Sequence, residues 1–429
     1  MKYKLWQKCT AAAGVLTLLC MQGCTGGPAE NEKIQVELVQ YKPEAVAAFE
    51  EIEHRFNEEH QNIELTISSP NEAATVLKTR FIRGDYPDII GIGGDMDYAN
   101  FLDAEMFMDI SDWEGLDAIK PVYREMDKAL ELIPKDGVYA VPYAANCSGI
   151  LYNKEMFTEH GWEIPKTWSE FIALCEQIQS EGIQPLYAGY KDTWTCYGPW
   201  NALAVGLADP DVCEDVSAGK TTFSAEYAET AEKMKLLLQY TEPNPYAYGY
   251  NDACTAFARG QSAMYVIGSF AIAQILSANP EMNIGAFTFP ANEDESDNIL
   301  TSGIDLQFSV MKDCENKAAV YAVLDFLNRD DIIQIYLDNQ IAVSCKNSGM
   351  EIHQQLSEMK PYLDSERVSD FHDHHYPSEM SVDAMIQTYL IDTAENSAEK
   401  FLKSFDENWI RYNRDLIRRM NERKEGAEQ

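Results

Sequence analysis

Between Ile34 and Asp95 the chain switches repeatedly between two hydrophobic periods, and this alternation limits the folds open to it more than any other feature. Ile34, Val36 and Leu38 recur at every second residue, as in a strand. Pro43 then opens a helix whose apolar residues Val46, Phe49, Ile52 and Phe56 share one face. Ile63, Leu65 and Ile67 form the next strand, Ser68-Ser69-Pro70-Asn71 ends it, and a second helix runs to about Ile82. Gly84 leads into a third extended run that closes on Gly93-Gly94-Asp95. Strand-helix-strand repeats predict parallel strands joined by right-handed crossovers, an α/β doubly wound sheet. Ligands of such sheets bind just beyond the carboxyl ends of the strands. The positions to watch are therefore Gln40 and Tyr41, Ser68 and Ser69, and Gly93, Gly94 and Asp95. Two glycines let a backbone approach a ligand closely, and Asp95 either accepts from ligand hydroxyls or caps the helix that holds Tyr98 and Phe101.

A second constraining stretch runs from Gly137 to Phe171. Val138, Tyr139 and Val141 favour an extended chain, Pro142 forbids helix, and Ile150, Leu151 and Tyr152 form another β-prone run after a break at Gly149. Lys154 to His160 reads as a short helix closed by Gly161 in the left-handed conformation. Thr167-Trp168-Ser169-Glu170 is a capping box, so a longer helix starts at Trp168.

These residues carry a resemblance to the carbohydrate-binding extracellular solute-binding proteins of ABC importers, the family that includes maltose-binding proteins. The matches are Gly137, Tyr139, Pro142, Leu151, Tyr152, Asn153, Lys154, Phe157, Gly161, Pro165, Thr167, Trp168 and Phe171, with Val138 where that family more often has Lys. Tyr86-Pro87-Asp88-Ile89-Ile90 resembles a second family block. Phe257 to Phe270 resembles a third, with Phe270 where Trp is usual. The resemblance implies a two-lobe periplasmic-binding-protein fold. Each lobe is then a doubly wound, mainly parallel sheet with helices on both faces, and the hinge is made of strands crossing near Val141, Phe289 and Ile341. Residues 33–141 and 290–340 are expected in the first lobe and 142–289 and 341–429 in the second.

In such a fold the ligand lies between the lobes. Gly182 to Leu203 crowds Tyr187, Tyr190, Trp194, Tyr197 and Trp200 into a stretch punctuated by Gly and Pro with little regular period, read here as a loop. Aromatic rings lie flat on the C–H faces of pyranoses, or else fill cores, and both readings stay open for Trp194 and Trp200. Gly268 and Ser269 join a strand to a helix beginning near Ala271, where free backbone N–H groups can hold polar ligand atoms. Thr301 to Asp305 matches the position of a Gly-rich ligand-side loop. A saccharide is thus expected to stack on Trp194, Phe270, Tyr143 or Trp200. Gln40, Tyr41, Ser69, Gly94, Asp95, Asn146, Ser269, Gly303 and Asp305 are expected to surround its polar groups.

The 429 residues suit two lobes rather than one core, and a formal charge of −36 disfavours nucleic acid, whose phosphates call for Lys and Arg. Lys2, Lys4 and Lys8 precede an apolar run from Ala11 to Leu19, too short for a stable span and read as a signal peptide. Met21-Gln22-Gly23-Cys24 then resembles a lipobox. Residues 1–23 are expected to be removed, Cys24 lipidated, and residues 24–32 left as a tether, placing the protein outside the cell membrane. The remaining seven cysteines show no paired spacing, so no disulfide framework is expected. His372-Asp373-His374-His375 is read as a surface loop rather than a zinc site, because adjacent residues rarely converge on one ion. No cofactor is expected, nor is any catalytic motif present. The expected partners are a carbohydrate and the membrane permease, engaged by a monomer. The same fold binding an amino acid, peptide or polyamine, or a surface glycoside hydrolase, remains the alternative.

Overall fold

The structure, a computed structural model, describes residues 33–427. The expected signal segment, Cys24 and the tether lie outside the described residues. The chain forms β1 (Ile34–Gln40), α1 (Val46–Glu59), β2 (Ile63–Ser68), α2 (Ala73–Ile82), β3 (Ile89–Ile92), α3 (Met96–Asp103) and α4 (Pro121–Ala129). A long strand β4 (Val141–Asn153) leads into α5 (Lys154–His160) and α6 (Trp168–Ser180). β5 (Leu186–Tyr187), α7 (Tyr197–Leu207), β6 (Met264–Gly268), β7 (Ile284–Phe287), β8 (Leu300–Val310), β9 (Val343–Ser344) and β10 (Val368–Ser369) complete the sheet, with helices between them.

The sheet runs in the order β2-β1-β3-β8-β4-β6-β5, with β7 and β9 also on β4 and β10 on β8. In the first lobe β1, β2 and β3 are parallel, and β8 lies antiparallel to β3. In the second, β5 and β6 are parallel while β4 runs antiparallel to β6 and to β7. Each half is thus a set of co-directional strands interrupted by one reversed strand, and the reversed strands are the two that pass between halves. Cores line both faces. Val36 and Leu38 of β1 pack with Phe49, Ile52 and Tyr336, whereas Val39 packs with Leu77, Tyr98 and Phe101. Ile150 and Val266 likewise face Trp200 and Phe405, while Leu151 and Ile267 face Phe257 and Ile272. This is the two-faced winding expected from the strand-helix alternation.

Several local expectations hold to the residue. Lys154–His160 is a helix capped by the Asn153 side chain and ended by Gly161 at φ 69°. The Thr167 hydroxyl accepts from Glu170 N at 3.2 Å, although the Glu170 carboxylate accepts from Lys166 N at 2.7 Å, one residue before the cap. Other expectations are corrected. The two short strands around a break at Gly149 are one continuous strand, β4. Pro142 is tolerated there because the β4–β8 register shifts beside it, which frees it from donating to the ladder. Gly149 is needed because a Cβ would collide with the Phe287 carbonyl oxygen on β7. The second connection between halves runs along β8 rather than near Phe289, whose ring packs 5.2 Å from Phe171 inside the second lobe. The expected loop of residues 182–203 holds β5, a 3-10 turn at Thr193–Cys196 and helix α7. Gly198 and Pro199 fall in the first turn of α7, where a missing N–H costs little.

The C-terminal segment forms two helices, Ser397–Tyr412 and Arg414–Ala427, divided at Asn413. The second reaches back to the first lobe, with Arg419 on Asp103 at 3.0 Å and Arg423 donating to the Pro134 carbonyl at 2.8 Å. All seven described cysteines are free thiols. No helix of the described residues is long and apolar enough to cross a membrane.

One buried acid stands out in the first lobe. Asp127 on α4 accepts from the Tyr98 hydroxyl at 3.2 Å, but its other oxygen has no partner among the described residues, and burial pushes its carboxyl up to about 7. The unfolded chain ionises near pH 4 and the folded chain near pH 7, so this group makes stability fall as pH rises across that interval. Asp127→Asn is expected to remove the fall and to be more stable than wild type at pH 8 by on the order of 2–4 kcal/mol. Urea unfolding at pH 5 and pH 8 checks this; parallel pH profiles for the two proteins would show that Asp127 ionises normally.

Candidate functional site

Between the two halves lies a cavity of about 200 Å³. Its floor comes from the crossing strands, which present Asn146 and Ser148 from β4 and Gly303, Ile304 and Asp305 from β8. Strand alternation explains the spacing of Asn146 and Ser148. The first lobe contributes Tyr41 just after β1, and Gly93 and Asp95 just after β3, both beyond carboxyl ends of parallel strands. The second contributes Trp194, Tyr197, Gly198 and Asn201, together with Gly268 and Phe270 beyond the end of β6. Phe371, Asp373 and His374 close the wall. A second chamber of about 250 Å³ shares Tyr41, Gly93 and Asp95 and extends over Ala73–Thr75 at the start of α2.

The aromatic side is a tilted stack. Trp194 is 40% exposed, its ring lying 4.9 Å from Tyr250 and 6.1 Å from Phe270. Opposite it stands a polar network centred on Asp305. The buried carboxylate accepts from Lys42 Nζ at 2.5 and 2.6 Å, from Asn146 Nδ2 at 2.7 Å and from the Tyr336 hydroxyl at 2.9 Å. The Tyr41 hydroxyl donates to the Asp305 carbonyl at 2.5 Å. Asp95 caps α3, its Oδ1 accepting from Asp97 N at 2.8 Å, and it also lines both chambers. Burial raises its carboxyl above the ordinary range. Asp373 is raised for the same reason and is held by Asn201, whose amide donates to it at 2.8 Å.

Of the expected residues, Tyr41, Asp95, Asn146, Trp194, Phe270, Gly303 and Asp305 are brought together on the cavity wall. The others lie elsewhere. Trp200 is fully buried in the second-lobe core, edge-on to Tyr227 and Phe401: Trp194 lies in the 3-10 turn before α7, whereas α7 itself carries Trp200 on the side away from the cavity. Tyr143 packs 4.9 Å from Phe308 and 5.6 Å from Tyr336 in the first-lobe core. Gln40 and Ser69 hydrogen-bond each other, and Gln40 also donates to the Lys42 carbonyl, so both are spent on the turn after β1. Gly94 donates its N–H to Ile304 and leaves no room for a Cβ beside that side chain. Ser269 exchanges hydrogen bonds with the Cys147 backbone, closing β6 onto β4. Thr301–Asp305 is strand, not loop.

The reading missed Ser148, Tyr197, Asn201, Phe371, Asp373 and His374. Trp194, Tyr197, Gly198 and Asn201 recur at three- and four-residue steps, a helical stripe that was legible once the stretch was taken as helix. The His372–His375 segment is not the expected surface loop: His372 is buried against the Tyr227 hydroxyl at 2.9 Å, and Gly303 lacks the Cβ that would exclude Asp370 and Phe371. Among the described residues no cluster of His, Cys, Asp or Glu is placed to share a metal ion.

Two half-sheets joined by crossing strands, with a cleft between them walled by both, define a two-lobed binding protein of the kind that captures solutes. The chain belongs to the bacterial extracellular solute-binding protein family, whose profile matches residues 37–332. It is 28% identical over 348 residues to the multiple sugar-binding protein of Streptococcus mutans, covering 78% of this chain and 81% of that one. It superposes on the apo form of RafE from Streptococcus pneumoniae with a TM-score of 0.78 at 24% identity, covering 90% of this chain and 98% of that one. On RafE in complex with raffinose the TM-score is 0.74, again at 24% identity, covering 88% and 99%.

The two tryptophans separate the roles of core and cleft. Trp200→Ala is expected to cost about 3–5 kcal/mol of stability. Trp194→Ala is expected to change stability by less than about 1 kcal/mol. Denaturant unfolding of the ligand-free protein distinguishes them, and equal losses would place Trp194 in the core.

Proposed function

We propose that this solute-binding protein captures a mono- or oligosaccharide in the cleft and delivers it unchanged to an ABC permease, held at the outer face of the cell membrane by a lipid on Cys24. The observation that carries the reading is the half-exposed Trp194, backed by Phe270 and Tyr250, facing Tyr41, Asp95 and Asn146 across the cleft. A flat ring opposite hydrogen-bonding groups suits a sugar, whose C–H face stacks while its hydroxyls reach acceptors and donors. The second chamber over α2 favours a ligand of more than one ring. Likeness to a multiple sugar-binding protein and to a raffinose complex supports the same class. The lobe limits we propose follow the connections along β4 and β8. Closure about them buries the ligand and forms the surface that the permease meets.

A thermal-shift screen against neutral mono- and oligosaccharides tests the proposal. A ligand at 100 times its dissociation constant adds about 2.7 kcal/mol to native stability. At least one sugar is expected to raise the melting midpoint, and Trp194→Ala and Phe270→Ala are expected to abolish the rise without unfolding the ligand-free protein. A panel of amino acids and polyamines that shifts the midpoint where sugars do not would replace the ligand class. Reducing ends accumulating during incubation would reject simple capture.

A further inference from the structure

The cleft contains one cation-forming side chain whose outer atom is unclaimed. His374 lines the cavity, and among the described residues its only side-chain hydrogen bond runs from Nδ1 to Asp370 Oδ1 at 2.8 Å. Asp370 is itself buried and anchored, accepting from Phe371 N at 2.8 Å with His375 Nε2 at 3.5 Å from its second oxygen. The missing Cβ of Gly303 lets the Asp370 carboxylate sit against β8, and a Cβ there would also lie 3.0 Å from the His374 ring. The imidazole is therefore held from behind, with Nε2 left for whatever enters.

Resting on the saccharide reading above, we propose that His374 is a ligand-binding residue, fixed by Asp370 so that its Nε2–H donates to an oxygen of the bound sugar. The neighbouring acids decide that Nε2 donates rather than accepts. Burial by itself would lower the imidazole, but Asp370 beside it, with Asp373 on the same segment and Asp95 at the start of α3, raises it to about 10. His375 shares the Asp370 carboxylate and stands on the far side of it. Asp370 answers in kind: burial would raise it, and the two histidines hold it well below the carboxylate range. His374 thus stays protonated throughout the neutral range, while Asp95 and Asp373 offer acceptors to hydroxyls around it. A charged donor fixed among acceptors selects a polyhydroxylated neutral ligand by orientation.

The test is titration calorimetry with the saccharide that gives the largest shift in the screen. His374→Ala is expected to weaken binding about 10- to 100-fold, the effect of losing one charge-assisted hydrogen bond, and His374→Gln, which keeps a neutral donor, by less. Asp370→Asn is expected to make affinity fall as pH rises from 6.5 to 9, whereas wild type stays flat, because His374 then loses its proton within that range. Binding by His374→Ala, or by His374→Gln should the former not fold, within twofold of wild type would overturn the proposal, as would a pH-independent Asp370→Asn. A readout without ligand separates this from failure of the saccharide reading. Nitrogen-15 spectra of the wild-type ring, assigned by its loss in His374→Gln, should show both nitrogens protonated at pH 8, and a neutral ring there would refute the donor.

Discussion

The antiparallel pairing of β4 with β8 is the constraint on which the rest depends. Every residue of β8 and all of β4 except Asn146 are buried, and buried backbone polar groups must find partners. On β4 those partners are β8 on one side and β6, β7 and β9 along the rest, so one strand holds two half-sheets edge to edge. The same continuity builds the cleft. Strands that belong to both lobes offer their mid-portions to the space between them, which is why Asn146, Ser148, Gly303 and Asp305 form the floor.

Onto that floor the chain places charges it has neutralised in advance. Ionised groups withdrawn from water are costly unless paired and hydrogen-bonded. Asp305 meets the condition with Lys42, Asn146 and Tyr336, drawn from three separate segments, and Asp370 meets it with His374. These pairings, with the hydrogen bond from the Tyr41 hydroxyl to the Asp305 carbonyl, fix the side chains of Asn146, His374 and Tyr41. On the proposed saccharide reading, a ligand meets groups whose rotamer freedom has already been lost, which lowers the entropy that binding must overcome.

Much of the scaffold was legible because it is written in local periods. The alternation of two-residue and helical spacing from Ile34 to Ile92 reflects burial of one side of each element, and Gly161 and Thr167 mark helix ends by backbone chemistry that needs no distant partner. The cavity wall was legible where it coincides with strand ends, at Tyr41, Asp95 and Phe270, since the doubly wound topology itself opens a crevice there. Aromatic identity was a poor guide to direction. Trp194 and Trp200 stand six residues apart, Trp194 in the turn before α7 and Trp200 within it, and only the packing of α7 against Tyr227 and Phe405 sends one to the cleft and the other to the core. Tyr143 went the same way beside Phe308.

The sequence by itself therefore determined the two-lobed α/β architecture, the family, and those cavity-wall positions that follow from strand order, because each rests on short-range hydrogen bonding and periodic burial. Only the tertiary structure decided that β4 runs unbroken through Pro142 and Gly149, and that Phe371, Asp373 and His374 join the cleft. A register shift of β4 against β8, a backbone passing close on β7 and a missing Cβ at Gly303 are contacts between residues far apart in the chain, and no local pattern encodes them.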